Sequence, residues 1–260
     1  MDLRESRAKR WWRSGRRIGS IERAAAFIDD VGFAVLFPKK GVELPNLWET
    51  VTDREENELL EDGWGDDADR LWGWKDELPR RRLAWYGEFI HKRKSFLSPG
   101  LLADLYPREG LPDDYKEMAL QEDARRIADV LYSSGPLPAP VIREATGMDG
   151  RADGPRFNRA LSVLGRGLVI THYGVEDQGA GWPSAIMELT ARAFHIAPKK
   201  DVRGAHLRAA RRYLDTMLIA DAAGLSRAFN WPIADARARL DELCDDGRAR
   251  RLGNRYRSTE

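Results

Sequence analysis

Cysteine is nearly absent. Cys244 is the one cysteine in 260 residues, which excludes an intramolecular disulfide and any multi-cysteine zinc site; it reads as a helix residue without a redox role. Histidine is scarce as well, and His91, His172, His195 and His206 lie too far apart for a local metal motif. No metal is therefore expected. No apolar run reaches the roughly 18 residues of a membrane helix, and the Arg-rich start "MDLRESRAKRWWRSGRR" is not followed by the apolar core of a signal peptide. A soluble, cytoplasmic protein is expected. There is no Gly-rich phosphate loop and no nucleophile elbow; "GRGLV" (165–169) is a helix end running into a strand. Net charge is nearly missing too: 43 Lys+Arg against 42 Asp+Glu leave +1, so net charge by itself points to no partner.

What is present is a foldable chain with sorted charge. Hydrophobic residues make up 42%, enough for a sizeable core in one large domain or two to three small ones. Residues 1–17 carry seven Lys/Arg and two acids, whereas "TDREENELLEDGWGDDADR" (52–70) carries nine acids and two arginines. The acidic stretch lacks apolar periodicity and is expected as an exposed loop or weak helix. Basic clusters return at "PRRR" (79–82), "HKRK" (91–94) and "RARRLGNRYR" (248–257). Seven of the nine tryptophans fall in the first 86 residues. Most are expected in the core; Trp11 and Trp12, beside arginines, are the pair set apart as candidates for stacking on bases.

From about residue 114 a pattern repeats. "MALQEDARRIADVLYSSG" (118–135) has Ala124, Ile127, Ala128 and Leu131 at helical spacing and a stop at Gly135. "PLPAPVIREATGMDG" (136–150) reads as a short strand and a second helix broken at Gly147. "GPRFNRALSVLGRG" (154–167) puts Phe157, Leu161 and Leu164 on one face of a third helix. "LVITHYG" (168–174), the turn "QGAGWP" (178–183) and "SAIMELT" (184–190) make a hairpin. Helix, short strand, helix, helix and hairpin is the order of a winged helix. The order returns in "HLRAARRYLDTM" (206–217), "IADAAGLSRAFNW" (219–231), "PIADARARLDELCDDG" (232–247) and a basic hairpin turning at Gly253-Asn254. The fold class expected is mainly α with small β wings (α+β), in tandem winged helix-turn-helix units: 1–113 with Trp-rich and acidic insertions, 114–198, and 199–260 with the basic wing.

A third helix of this kind can enter the major groove, and a wing can reach phosphates or the minor groove. Arginine suits both tasks, because its fork pairs with guanine edges and with phosphate oxygens. Arg156, Asn158, Arg159 and Arg166 are therefore contact candidates in the second unit, and Arg237 and Arg239 in the third. The competing reading is a solvated helix face, since Asp235, Asp241 and Glu242 lie close to the last two. Arg248, Arg250, Arg251, Arg255 and Arg257 fall within ten residues without one acid, a concentration that favours an anionic partner.

In "SIERAAAFIDDVG", Ile21, Ala24, Ala25 and Ile28 define an apolar helical face, with Ser20 as N-cap and Gly32 as stop. Asp29 and Asp30 then sit in the last turn. Carboxylates there oppose the helix dipole by roughly 0.3–1 kcal/mol, so they serve either as a plain helix end or as a working site.

The order of elements, with "RLWGWKDELPRRRLAWY" (70–86), "FNRALSVLGRGLVITHYGV" (157–175) and "ARLDELCDDGRARRLGNRY" (238–256), resembles the bacterial winged-helix DNA glycosylases of the AlkZ/YcaQ type. The resemblance implies three tandem winged helices curved around duplex DNA, repair of alkylated or crosslinked bases, and no cofactor. The family's catalytic signature, glutamine, an apolar residue, then glutamine or aspartate, falls by position on Phe27-Ile28-Asp29. Asp29 then matches the group that activates the attacking water. Phe27 replaces the glutamine, leaving either compensation by Asp30 or DNA binding without base release. Alternatives from other classes are a non-enzymatic winged-helix regulator and a protein-interaction module. A monomer is favoured.

Overall fold

A computed structural model of the chain describes residues 2–14, 17–38, 41–52, 65–176 and 183–259. The elements are helix α1 (Leu3–Arg10), α2 (Ile21–Val31), strand β1 (Phe33–Ala34), α3 (Leu47–Thr52), α4 (Asp66–Arg80), β2 (Trp85–Glu88), β3 (Lys94–Leu97) and α5 (Pro99–Leu105). They continue with α6 (Glu122–Ser134), β4 (Leu137–Pro138), α7 (Ala139–Ala145), α8 (Gly154–Arg166), β5 (Ile170–Glu176), β6 (Ser184–Leu189) and α9 (Thr190–Ala193). The last are α10 (Val202–Met217), β7 (Ile219–Asp221), α11 (Ala222–Phe229), α12 (Ile233–Asp245), β8 (Ala249–Leu252) and β9 (Arg255–Ser258).

The class is α+β, with helices and three small antiparallel sheets ordered β1-β3-β2, β4-β6-β5 and β7-β9-β8. In each, the short first strand pairs with the last strand of the hairpin. Helix, short strand, helix, helix and hairpin thus occur three times, beginning at α2, α6 and α10. The acidic stretch 52–70 lies mostly outside the described residues. Its end is not loop: Asp66, Asp67 and Asp69 occupy the first turn of α4, where carboxylates meet the positive end of the helix dipole. The turn "QGAGWP" also lies outside the described residues except for Pro183.

Local chemistry explains the ends of α2. The Ser20 hydroxyl accepts from the Arg23 N–H at 3.4 Å, and Gly32 ends the helix at φ +84°. Only glycine fits there, because a Cβ would stand 2.6 Å from Arg212 Cγ.

One continuous apolar core joins the first and third units, from Trp11, Phe27 and Trp85 to Tyr213, Leu240 and Tyr256. The second unit has its own, around Ile127, Leu131, Phe157 and Leu164. Trp11, set apart for bases, is instead a core residue at 1% exposure; its indole N–H donates to the Thr216 carbonyl at 2.8 Å. That satisfied donor is what lets the ring be buried.

The first and second units meet through a pseudo-symmetric exchange. Helix α4 presents Asp76 to His172 on β5, at 2.6 Å, while α8 presents Ser162 and Arg166 to Glu88 on β2, at 2.7 and 2.8 Å. Between them the Thr171 hydroxyl donates to the Tyr86 carbonyl at 3.3 Å. Gly165 lets the backbones close up, since a Cβ would meet the Glu88 backbone at 3.3 Å. Each third helix is therefore partly covered by the other unit's hairpin.

Candidate nucleic-acid interface

Strand alternation sorts the C-terminal hairpin. Arg250 faces Arg257, Arg251 faces Tyr256 and Leu252 faces Arg255 across β8 and β9. Ala249 and Tyr256 are buried, at 4% and 1% exposure, so that face packs inward and the Tyr256 hydroxyl donates to Asp241 at 2.6 Å. Arg250, Arg255 and Arg257 consequently share the outer face, and all three are exposed. Among the described residues, neither these three nor Arg248 has a side-chain partner. Two arginines directly opposite on a sheet repel each other. Arg251, on the inner side, is used locally: its guanidinium donates to the Gly253 carbonyl at 3.2 Å and lies over the Tyr256 ring at 5.8 Å.

The helix candidates divide. Arg156 is tied to Asp123, its Nε donating at 2.6 Å, and this pairing lowers the Asp123 pKa. Arg166 is tied to Glu88. Burial works against ionising Glu88, but the Ser162 hydroxyl and Arg166 outweigh it and hold its carboxyl below the usual range. Arg239 pairs with Glu242 at 2.5 Å, which Arg203 also reaches at 3.1 Å. Asn158, Arg159 and Arg237 remain exposed and have no side-chain partner among the described residues. Helix α12, moreover, itself carries Asp235, Asp241, Glu242 and Asp245 and is capped by Asp246, an acidic setting for a groove-reading helix.

The N-terminal arginines have an internal task that sequence reasoning missed. α1 lies against the C-terminal ends of two helices, where carbonyls lack helical partners. Arg10 Nη2 donates to the Asp30 carbonyl at 2.7 Å and its Nε to the Asp215 carbonyl at 3.3 Å. Arg7 donates to the Met217 carbonyl at 3.3 Å, and Arg212 adds a second bond to the Asp30 carbonyl at 2.8 Å. Guanidinium groups are favourable at the negative ends of α2 and α10, and at α2 they counter the unfavourable placement of Asp29 and Asp30. The signal in the sequence was the basic run itself; its carbonyl partners lie some 20 or 200 positions away.

Asp29 and Asp30 differ sharply. The Asp30 carboxylate accepts from Arg10 Nη1 at 2.7 Å and from Trp12 Nε1 at 2.8 Å. Asp29 is exposed, and its side chain has no partner among the described residues. Phe27 is fully buried, edge-on to Trp12 at 5.7 Å between centroids. Asp30, unlike Asp29, lines a cavity of about 430 Å³ whose other walls include Lys9, Arg10, Trp12 and Arg257. The fold thus brings the end of α2 and the C-terminal hairpin to one place.

His172 is a packed strand residue, 7% exposed, and burial lowers its pKa although Asp76 works the other way. Cys244 is a half-buried residue of α12. Among the described residues no three His, Cys, Asp or Glu side chains gather as metal ligands, and no helix is long and apolar enough to cross a membrane.

The model of the family described as AlkZ related matches residues 18–221. The chain belongs to the AlkZ-related family. A shorter match, to the C-terminus of ethanolamine utilization protein EutK, covers residues 219–257, from β7 into β9. Among solved structures, the Streptomyces sahachiroi DNA glycosylase AlkZ superposes with a TM-score of 0.54 over 94% of this AlkZ-related chain, at 11% identity. At that identity the likeness is one of fold. The chain spans 65% of the length of that protein. No curated protein matches it.

Proposed function

We propose that the protein is a DNA-repair protein of DNA glycosylase type, built from three winged-helix units at 1–113, 114–198 and 199–260, that binds duplex DNA in the compartment where DNA is held. The observation that carries the reading is the shared cavity of Asp30 and Arg257. A strand held by Arg250, Arg255 and Arg257 passes beside the end of α2. Family membership and the named activity of the structural relative support the same direction.

Two neighbouring carboxylates then take two roles. Asp30, held by Arg10 and Trp12, fixes the helix end. Asp29, unencumbered, accepts a proton from the water that attacks the sugar carbon as the damaged base departs. The step needs no cofactor. Phe27, buried in the core, supplies no polar group, so the acid–base groups in the last turn of α2 are the two aspartates.

The test is base release from an alkylated or crosslinked duplex by the wild type and by Asp29→Asn, with binding to the same duplex measured alongside. A general base contributes roughly 100-fold or more, so the variant should release at least that much more slowly while binding equally well. Equal release by the variant would remove Asp29 from the chemistry. The openness of Asp29 to water favours a second reading, a DNA-binding protein without base release; binding by the wild type with no release would establish it.

A further inference from the structure

We propose that His91, Arg227 and Arg255 form a seat for one phosphate group where the hairpin of the first unit meets the third unit. This deepens the DNA-binding reading and rests on it only for the polymer that carries the phosphate.

The three side chains line one cavity of about 540 Å³, and they reach it from different parts of the fold. His91 stands in the turn between β2 and β3, in the left-handed region at φ +51°, followed by Lys92 at φ +58°. Side-chain-bearing residues seldom adopt that backbone, and where they do the surroundings must enforce it. Here the enforcement is visible. Ile90 is fully buried, its N–H donates to the Ser95 hydroxyl at 3.0 Å, and the Phe89 ring faces Phe229 of α11 at 6.4 Å. The turn is pinned to the third unit, which fixes where the imidazole emerges.

Arg227 rises from α11 and Arg255 from the outer face of β9; both are exposed and, like His91, have no side-chain partner among the described residues. The two acids of the same cavity have local roles. Glu43 pairs with Arg7, and the Asp221 carboxylate accepts from the Gly224 N–H at 2.6 Å, capping α11. Two guanidinium forks and an imidazole therefore face a space in which the Asp221 carboxylate, cross-strand from Arg255, is the acid without a cationic side-chain partner among the described residues. A tetrahedral oxyanion matches those donors.

Burial lowers the proton affinity of His91, and the charges of Arg227 and Arg93 lower it further. The charged groups around the imidazole are Arg93 on its own turn, Arg227, Arg255 and Arg7 opposite, and the acids Glu43 and Asp221. An anion placed among them favours the protonated ring, so phosphate binding and proton uptake are linked.

The experiment is an NMR titration of the His91 imidazole in the full chain with inorganic phosphate. The expected result is a saturable shift and a raised His91 pKa at saturation. Arg227→Ala and Arg255→Ala, both at exposed positions, should each weaken phosphate roughly tenfold. No saturable response at His91, or unchanged affinity in both variants, overturns the proposal. Duplexes that are intact, nicked with a 5′-phosphate, or nicked without one separate the sources. If Arg227→Ala abolishes a preference for the phosphorylated nick, the seat takes a terminal phosphate; if it weakens all three equally, the seat takes a backbone diester. Indifference of all three duplexes to Arg227→Ala counts against the seat. Failure of base release leaves every one of these results standing.

Discussion

Helix α8 and the C-terminal hairpin are both rich in arginine, yet the fold puts them to opposite uses. On α8, Arg156 is drawn to Asp123 and Arg166 to Glu88, so two of its positive charges are consumed within the molecule. On β8 and β9, alternation turns Arg250, Arg255 and Arg257 outward, where no carboxylate reaches them among the described residues. An arginine in a sequence is thus a partner-seeking charge whose partner is decided by tertiary neighbours. Of the two, the hairpin leaves more of its charge available to a polyanion; on α8 only Arg159 stays exposed without a side-chain partner among the described residues.

The largest effect expected from this contrast is on DNA affinity. Replacing Arg250, Arg255 and Arg257 together by alanine should weaken duplex binding on the order of 100-fold at about 0.1 M salt, with little dependence on sequence. The log–log salt slope should fall by about 0.9 for each phosphate that the variant no longer neutralises. Stability should hardly move, because all three side chains are exposed. Equal affinity and slope in the triple variant would break the comparison.

The opposite experiment is Glu88→Ala. It removes the acceptor of Ser162 and Arg166 at the interface of the first two units, and should cost about 1 kcal/mol in urea unfolding, a small figure because water already screens the half-open Arg166. Arg166→Ala should lose a similar amount and leave DNA affinity unchanged. A drop in DNA affinity in Arg166→Ala would return this arginine to the footprint and blur the distinction.

What could be read beforehand follows the same division between local and distant causes. The third unit was legible because its signals are local: Leu240 and Leu243 at helical spacing, and Gly253-Asn254 at the hairpin turn. The ends of α2 were legible for the same reason, at Ser20 and Gly32. The hairpin of the first unit was not. Trp85, Tyr86, Gly87, Ser95, Phe96 and Leu97 are all buried, since β2 and β3 are covered on both faces, and a doubly covered strand loses its period of two. Its turn, "HKRK", looked only like a basic cluster. Of the candidate contacts, Arg156 and Arg166 could not be told from Arg159, because Asp123 and Glu88 come from other elements, whereas Glu242, three residues beyond Arg239, was in view. The basic run of α1 gave no sign of its partners, whereas Arg7, Arg10 and Trp11 are directed at carbonyls of α2 and α10.

The interface of the first two units allows a finer contrast, because its two arms are chemically different. Glu88 with Arg166 changes charge only in acid, whereas His172 with Asp76 joins a buried imidazole to a carboxylate. Burial holds the His172 pKa below the ordinary 6.5, so the folded chain takes up fewer protons than the unfolded chain between that value and the depressed one. Stability is then greatest above about pH 6.5 and declines as pH falls through that window. Asp76 follows later: burial opposes its ionisation, but His172 and Lys75 keep its carboxyl below the usual 3.8, and its contribution disappears only as that carboxylate protonates. The expected result is a modest fall in melting temperature between about pH 6.5 and 5 for the wild type, flattened in His172→Gln. The Glu88→Ala variant should keep the decline, because the arginine arm does not titrate there. If His172→Gln declines as the wild type does, the sensitivity lies elsewhere and the two arms are not distinguished by pH.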